Sequence, residues 1–187
     1  MRGVAGVCSL CHPKAEEVVH EGHYWRIIVN QDQNLLGKCF IALIRHAEDL
    51  FHLRQSELDE LWGLAAKVRG ALRELFQVDH FNFGFLGNND RHLHMHVVPR
   101  YRGTRFFAGL VFDDKAWGHH YDLIPRRVPP EVAAQLVAAM REKLTPLLGK
   151  SEKRRRIEKS GRPRGRPKKA AKPRAKRPVK KTKKRRR

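Results

Sequence analysis

Apolar and polar positions along the first quarter of the chain follow a strand-like rhythm. Residues 17–22 (Glu-Val-Val-His-Glu-Gly) close on a turn glycine, residues 24–29 are aromatic and β-branched, and residues 38–44 hold the longest apolar run, Phe40-Ile41-Ala42-Leu43-Ile44. These predict three strands, with the polar cluster at residues 30–34 as a turn between the second and third. The period then changes. Leu58, Leu61, Ala65, Val68, Leu72 and Leu75 recur at helical spacing, which predicts one amphipathic helix over 57–76, opened by Ser56 with Asp59 in the capping-box position. Phe81, Phe83 and Phe85 alternate with Asn82 and Gly84 as in a strand, residues 87–90 form a tight turn, and Arg91 to Pro99 form the next strand. A last helix begins near Pro129-Pro130-Glu131, where proline suits a first turn, and fades by Gly149. Strands first, with helices between and after them, predict an α+β domain: an antiparallel sheet of about five strands and two main helices.

Charge divides the chain in two. Of its 187 residues 40 are Lys or Arg and 19 Asp or Glu, for a formal net charge of +21, yet residues 150–187 alone hold 22 basic and 2 acidic side chains. The reading is therefore a near-neutral domain over 1–149, long enough for a real core, and a polycationic tail over 150–187. The tail has no aromatic residue and no apolar periodicity, so it is expected to be disordered and to bind nucleic acid through counterion release. No apolar run approaches the roughly 20 residues of a membrane helix, and no long apolar segment follows Arg2, which argues against a membrane span and a secretory signal. Three cysteines, an odd number, suit a reducing compartment; the expected location is cytoplasmic and nucleoid-associated, or nuclear in a eukaryote.

The most informative string is Arg91-His92-Leu93-His94-Met95-His96-Val97-Val98-Pro99-Arg100. On a strand, alternate side chains share a face, so His92, His94 and His96 line one surface while Leu93, Met95 and Val97 enter the core. Imidazole serves as nucleophile, proton shuttle or metal ligand. Successive same-face residues lie about 7 Å apart, too far for all three to bind one ion at about 2.1 Å.

The string resembles the motif of the histidine triad (HIT) family: three histidines separated by hydrophobic residues and followed by two more. Leu86-Gly87-Asn88 before it and Pro99-Arg100-Tyr101 after it also look like bacterial HIT hydrolases. The resemblance implies a HIT-like fold and a nucleotide hydrolase or nucleotidyl transferase, acting on a dinucleoside polyphosphate or a nucleoside phosphoramidate. By it, His94 attacks the α-phosphorus to give a nucleotidyl-histidine, His92 orients His94 with its backbone and ring, and His96 serves the phosphate or leaving group as a general acid. Asn30 lies near the ribose, and Asn88 meets phosphate or ribose. One departure is plain: the Gly-Gln-Ser or Gly-Gln-Thr segment of many relatives is replaced by Asn88-Asn89-Asp90-Arg91. HIT domains commonly pair, which implies a homodimer.

Cys8-Ser9-Leu10-Cys11 alone is ambiguous between a redox pair, a metal site and two free thiols. The resemblance adds a structural zinc held by Cys8, Cys11, His46 and His92, with His12 as an alternative ligand. In the tail, residues 161–169 (Gly-Arg-Pro-Arg-Gly-Arg-Pro-Lys-Lys) resemble an AT-hook, in which Arg162, Arg164, Gly165 and Arg166, followed by Lys168 and Lys169, enter the narrow minor groove of A·T-rich DNA. Later Lys-Pro-Arg repeats look like histone H1-type tails. Two alternatives stand beside the hydrolase: an aprataxin-like DNA deadenylase, and a noncatalytic nucleoid or chromatin protein.

Overall fold

The computed structural model describes residues 8–121 and 124–148. The tail, with the AT-hook-like segment at 161–169, lies outside the described residues. Three strands, β1 (Val18–Glu21), β2 (Trp25–Val29) and β3 (Cys39–Leu43), are followed by a single 3-10 turn at Leu50–His52 and the long helix α1 (Gln55–Phe76). Next come β4 (His80–Gly84) and β5 (His94–Arg100), a short hairpin of β6 (Arg105–Phe107) and β7 (Leu110–Phe112), and helix α2 (Pro130–Leu148). The main sheet is antiparallel in the order β1-β2-β3-β5-β4, so β5 enters between β3 and β4. This is the predicted α+β arrangement of five strands and two helices. Among the described residues no helix is long and apolar enough to cross a membrane.

Period-two alternation gives the sheet two faces. Trp25, Ile27, Val29, Ile41, Leu43, Met95 and Val97 form one buried cluster with Leu61, Ala65, Val68 and Leu72 of α1 and Leu136, Met140 and Leu144 of α2. The other face carries Arg26, Ile28, Phe40, Ala42, His94 and His96, with Ala42 opposite His94 and Phe40 opposite His96. Leu10 packs there on Ile28 and Ala42 and anchors the N-terminal cysteine turn to that face. Gly37, at φ +84°, makes the turn into β3; a Cβ there would press on Leu72 and Phe76 at 3.1–3.2 Å.

Three details differ from the sequence reading. Helix α1 starts at Gln55, and its cap is Glu57, whose carboxylate accepts the Arg54 N–H at 2.8 Å; Ser56 and Asp59 take other partners, Tyr24 and Gln55. Glu57 wins because it is buried and also holds the Arg45 guanidinium at 2.6 and 2.9 Å. The β6–β7 hairpin falls where the sequence reading places no element, turning at Ala108 and Gly109, both at positive φ. Finally, β5 begins at His94, so His92 is not on the strand. His92 N–H bonds Asp90 O at 2.7 Å and Leu93 N–H bonds Ala47 O at 2.6 Å, ties that turn the chain before the ladder starts.

At the outer edge of β1, a register irregularity between Val18 and His20 interrupts the strand. Arg141 of α2 reaches over it and donates to the carbonyls of Val18 and Ala15.

The Glu57 pair makes a stability prediction. Arg45, then burial in opposition, then the Arg54 N–H leave the carboxyl at about 2, below its ordinary 4.5. A depressed carboxylate stabilises the fold above about 4.5 and loses that contribution as pH falls toward 2. Glu57→Gln is expected to cost on the order of 2 kcal/mol at neutral pH, allowing for the partly exposed Arg45, with the gap from wild type closing below pH 4. Urea melts across pH check this.

Candidate active site and metal centre

The triad divides in two directions. His94 and His96, two residues apart on β5, share a face; their rings are 4.7 Å apart, and Phe40 meets each edge-on at 5.1 and 4.8 Å. His94 Nδ1 lies 2.6 Å from the carbonyl oxygen of His92. A carbonyl only accepts, so Nδ1 carries the proton and Nε2 keeps a lone pair. That Nε2 is 3.0 Å from His96 Nε2, which in the neutral pair must donate. Burial, then neighbouring His94, then Lys38 hold His96 down at about 4, so at neutral pH it is an uncharged N–H donor. The arrangement presents one nucleophilic nitrogen and, beside it, one nitrogen with a proton to give.

The ring of His92 meets the N-terminal cysteines rather than the ring of His94. Its Nε2 donates to Leu43 O at 2.6 Å, which fixes the tautomer and leaves the Nδ1 lone pair 3.3 Å from Cys8 Sγ and 3.4 Å from Cys11 Sγ. His46 Nδ1 lies 3.4 Å from Cys11 Sγ. The four donor atoms of Cys8, Cys11, His46 and His92 fall within 4.8 Å of one another. Sulfur and nitrogen on a tetrahedral zinc, at about 2.3 and 2.0–2.1 Å, would be about 3.6 Å apart, so the donor set fits a metal ion in chemistry and size. The sequence expectation for this quartet is matched in position; His12 is exposed and stands outside it. The ring of His92, expected to orient His94, is turned to the cysteines instead, and only its carbonyl performs that task.

The other expected residues fall as follows. Asn30 directly follows β2, half-buried, and its Oδ1 accepts the Asp32 N–H at 2.9 Å. Asn88 is exposed in the turn before His92. Adjacent Gly87, with Leu50, Phe85, Arg91 and His94, lines a cavity of about 470 Å³ between the segment after β3 and the loop before β5.

Sequence reasoning missed three contributors. Lys38, read only as the start of an apolar run, is buried, and its Nζ is held by Asp32 at 2.6 Å and Asn34 at 2.8 Å. Arg100, the motif's last residue, lies on the His94–His96 face by alternation. It is buried, paired with Asp114 at 2.6 and 3.1 Å, and donates to Asn82 Oδ1 and to the carbonyls of Ala116 and His119. A charged residue buried between apolar strand positions was the available signal, since such a charge needs a partner. Asp114 is the third; nothing local marked it.

Residues 13–103 match the family model described as HIT domain. Among solved structures, a hypothetical histidine triad nucleotide-binding protein from Sulfolobus tokodaii is 20% identical, with a TM-score of 0.56 over 75% of this chain and 91% of that one. A histidine triad protein from Sinorhizobium meliloti is 20% identical, with a TM-score of 0.56 over 68% of this chain and 88% of that one. A Zn-bound histidine triad family protein from Mycobacterium smegmatis is 17% identical, with a TM-score of 0.52 over 74% of this chain and 90% of that one. No curated protein matches. At these identities the likenesses speak to the fold.

Proposed function

Residues 13–103 match the HIT domain model, and from that premise we propose that the protein belongs to this family and is a nucleotide hydrolase or nucleotidyl transferase working through a histidine-bound nucleotide. The observation that carries the reading is the His92 carbonyl–His94–His96 relay, which leaves His94 Nε2 unprotonated and sets the Nε2 of His96 against it. With substrate between the rings, the lone pair of His94 attacks the α-phosphorus, and the bond from phosphorus to the leaving group breaks. The negative charge of the bound phosphate brings a second proton onto His96, and this imidazolium gives its Nε2 proton to the leaving group and returns to the neutral ring. Water then attacks phosphorus, the P–N bond to His94 breaks, the nucleoside monophosphate departs, and the proton from water returns to His96. Asn30 and Asn88 serve the ribose and phosphate.

Zinc is the metal we assign to Cys8, Cys11, His46 and His92; two thiolates and two imidazoles close a tetrahedron and leave no position for substrate. Bound there, it supplies a structural cross-link. The tail tethers the enzyme to DNA, through Arg162, Arg164, Gly165, Arg166, Lys168 and Lys169 where the duplex is A·T-rich. Two chains associate as a homodimer, which doubles the tails on one particle, and the place of action is the nucleoid, or the nucleus in a eukaryote.

Rapid-quench intact-mass spectrometry tests the chemistry. The chain is mixed with diadenosine tetraphosphate, an adenosine phosphoramidate or 5′-adenylated DNA. A transient adduct of one AMP per chain, followed by free AMP, is expected, and the fastest substrate names the class. A preference for adenylated DNA would select the deadenylase reading that the basic tail favours. No adduct and no AMP from any of the three would overturn the enzyme. For the tail, the full chain is expected to bind A·T-rich duplex more tightly than G·C-rich duplex at moderate salt. Equal affinities in an anisotropy titration would reduce the tail to a general polycation.

A further inference from the structure

Beyond the matched region the chain returns to the His94–His96 face. Arg100 points from that face and is wholly engaged: Asp114 takes its Nε and Nη2, the Ala116 carbonyl its Nη2, and Asn82 and the His119 carbonyl its Nη1. Asp114 also accepts the Tyr101 N–H. Residues 114–119 are therefore laid on the histidine face, four residues along β5 from His96, about 13 Å at strand rise.

A second buried tie lies on the other side of the same row. Asp32 holds Lys38 Nζ at 2.6 Å and the Arg126 N–H at 2.7 Å, and Gln33 N–H reaches Arg126 O at 2.8 Å. Lys38 is close enough to His96 to disfavour its protonation. Thus Arg126 is tied through Asp32 to Lys38, while residues 114–119 are tied to β5 through Arg100. Both ties use ion pairs with little exposure, costly to build for a mere surface loop. Next to the Arg100 tie, the exposed ring of His120 lies parallel to that of Tyr121, with centroids 4.5 Å apart and planes 24° from parallel.

We propose that the segment from Asp114 to Tyr121 is the wall of the site that receives the nucleobase, with His120 and Tyr121 offering the stacking surface and the Arg100–Asp114 pair holding it in place. The inference rests on the nucleotide reading above. A phosphate bound between His94 and His96 leaves the remainder of a nucleotide to run along the face toward that segment. Flat aromatic faces are what a base uses, and stacking is tolerant of base identity. Arg100 and Asp114 are positioning residues, since neither has a free polar group to offer the ligand.

The test is calorimetry on the full chain, in salt sufficient to screen the tail, with AMP and ribose 5-phosphate as separate probes. The variants are the double substitution His120→Ala with Tyr121→Leu, and Asp114→Asn. In each variant AMP is expected to weaken by about tenfold, the order of one lost stack, while ribose 5-phosphate changes less than twofold. Loss of both probes together with a lowered melting temperature would show only a structural role and overturn the assignment. Unchanged AMP affinity would also overturn it; a raised KM for diadenosine tetraphosphate alongside would place the segment at the leaving group instead. Wild type that binds neither probe would bring down the nucleotide reading and this inference with it. Wild type that binds both, with variants indistinguishable, would bring down this inference alone.

Discussion

His94→Ala is expected to lower AMP release by 10⁴-fold or more, with KM little changed and the melting curve nearly that of wild type. The reason is that His94 Nε2 is the unprotonated nitrogen of the His94–His96 contact; His94 Nδ1 is committed to the His92 carbonyl, and His96 Nε2 is the donor to His94 Nε2. Losing a covalent nucleophile removes the whole route, and what survives reflects binding alone. His96→Ala should cost less, about 10²–10⁴-fold, the range for a general acid. Its deficit should shrink for substrates whose leaving group needs no proton, so a series of leaving groups of falling pKa separates the two roles. Equal losses across that series would refute the proton assignment to His96. Activity in His94→Ala within tenfold of wild type would refute the nucleophile.

Removal of the metal is the second large effect. Metal analysis of untagged protein is expected to give close to one zinc per chain, and Cys11→Ser close to none. A strong chelator, or Cys11→Ser, should lower the melting temperature by about 10 °C, several kcal/mol for a domain of this size. The reach of the site explains the magnitude. Its four ligands come from the N-terminal turn, the segment after β3 and the residue that precedes β5, and Leu10 carries the turn onto Ile28 and Ala42. The same loss should reduce turnover, because the carbonyl that fixes the His94 tautomer belongs to His92. Protein that contains no metal and melts unchanged in chelator would remove zinc from the account.

The sheet and both helices were legible because their cores follow simple periods: Ile27, Ile41, Met95 and Val97 on alternate positions, and Leu61, Ala65, Val68 and Leu72 at helical spacing. The quartet of Cys8, Cys11, His46 and His92 was legible as chemistry through the resemblance, and the structure gathers it. His92 stands just ahead of the strand, where backbone bonds to Asp90 and Ala47 set the chain, and its ring meets the cysteine turn that Leu10 holds on the same face, not the ring of His94. The Ala47 partner, like the Asp114 that neutralises Arg100, comes from elsewhere in the fold and leaves no trace in local pattern. Lys38 was hidden for a related reason, since its buried ammonium makes sense only once the turn at 30–34 is folded around it.

The guanidinium of Arg141 over the carbonyls of Val18 and Ala15 has a consequence for assembly. A sheet with two bare margins can recruit neighbours on both sides and grow without limit. Here the β1 margin is sealed by a cation and broken in register, which leaves β4 as the margin without such a cover among the described residues. Strand addition on that side alone is self-terminating: two copies joined β4 to β4 would leave only sealed margins outward, and the array would stop at a closed pair rather than a fibre.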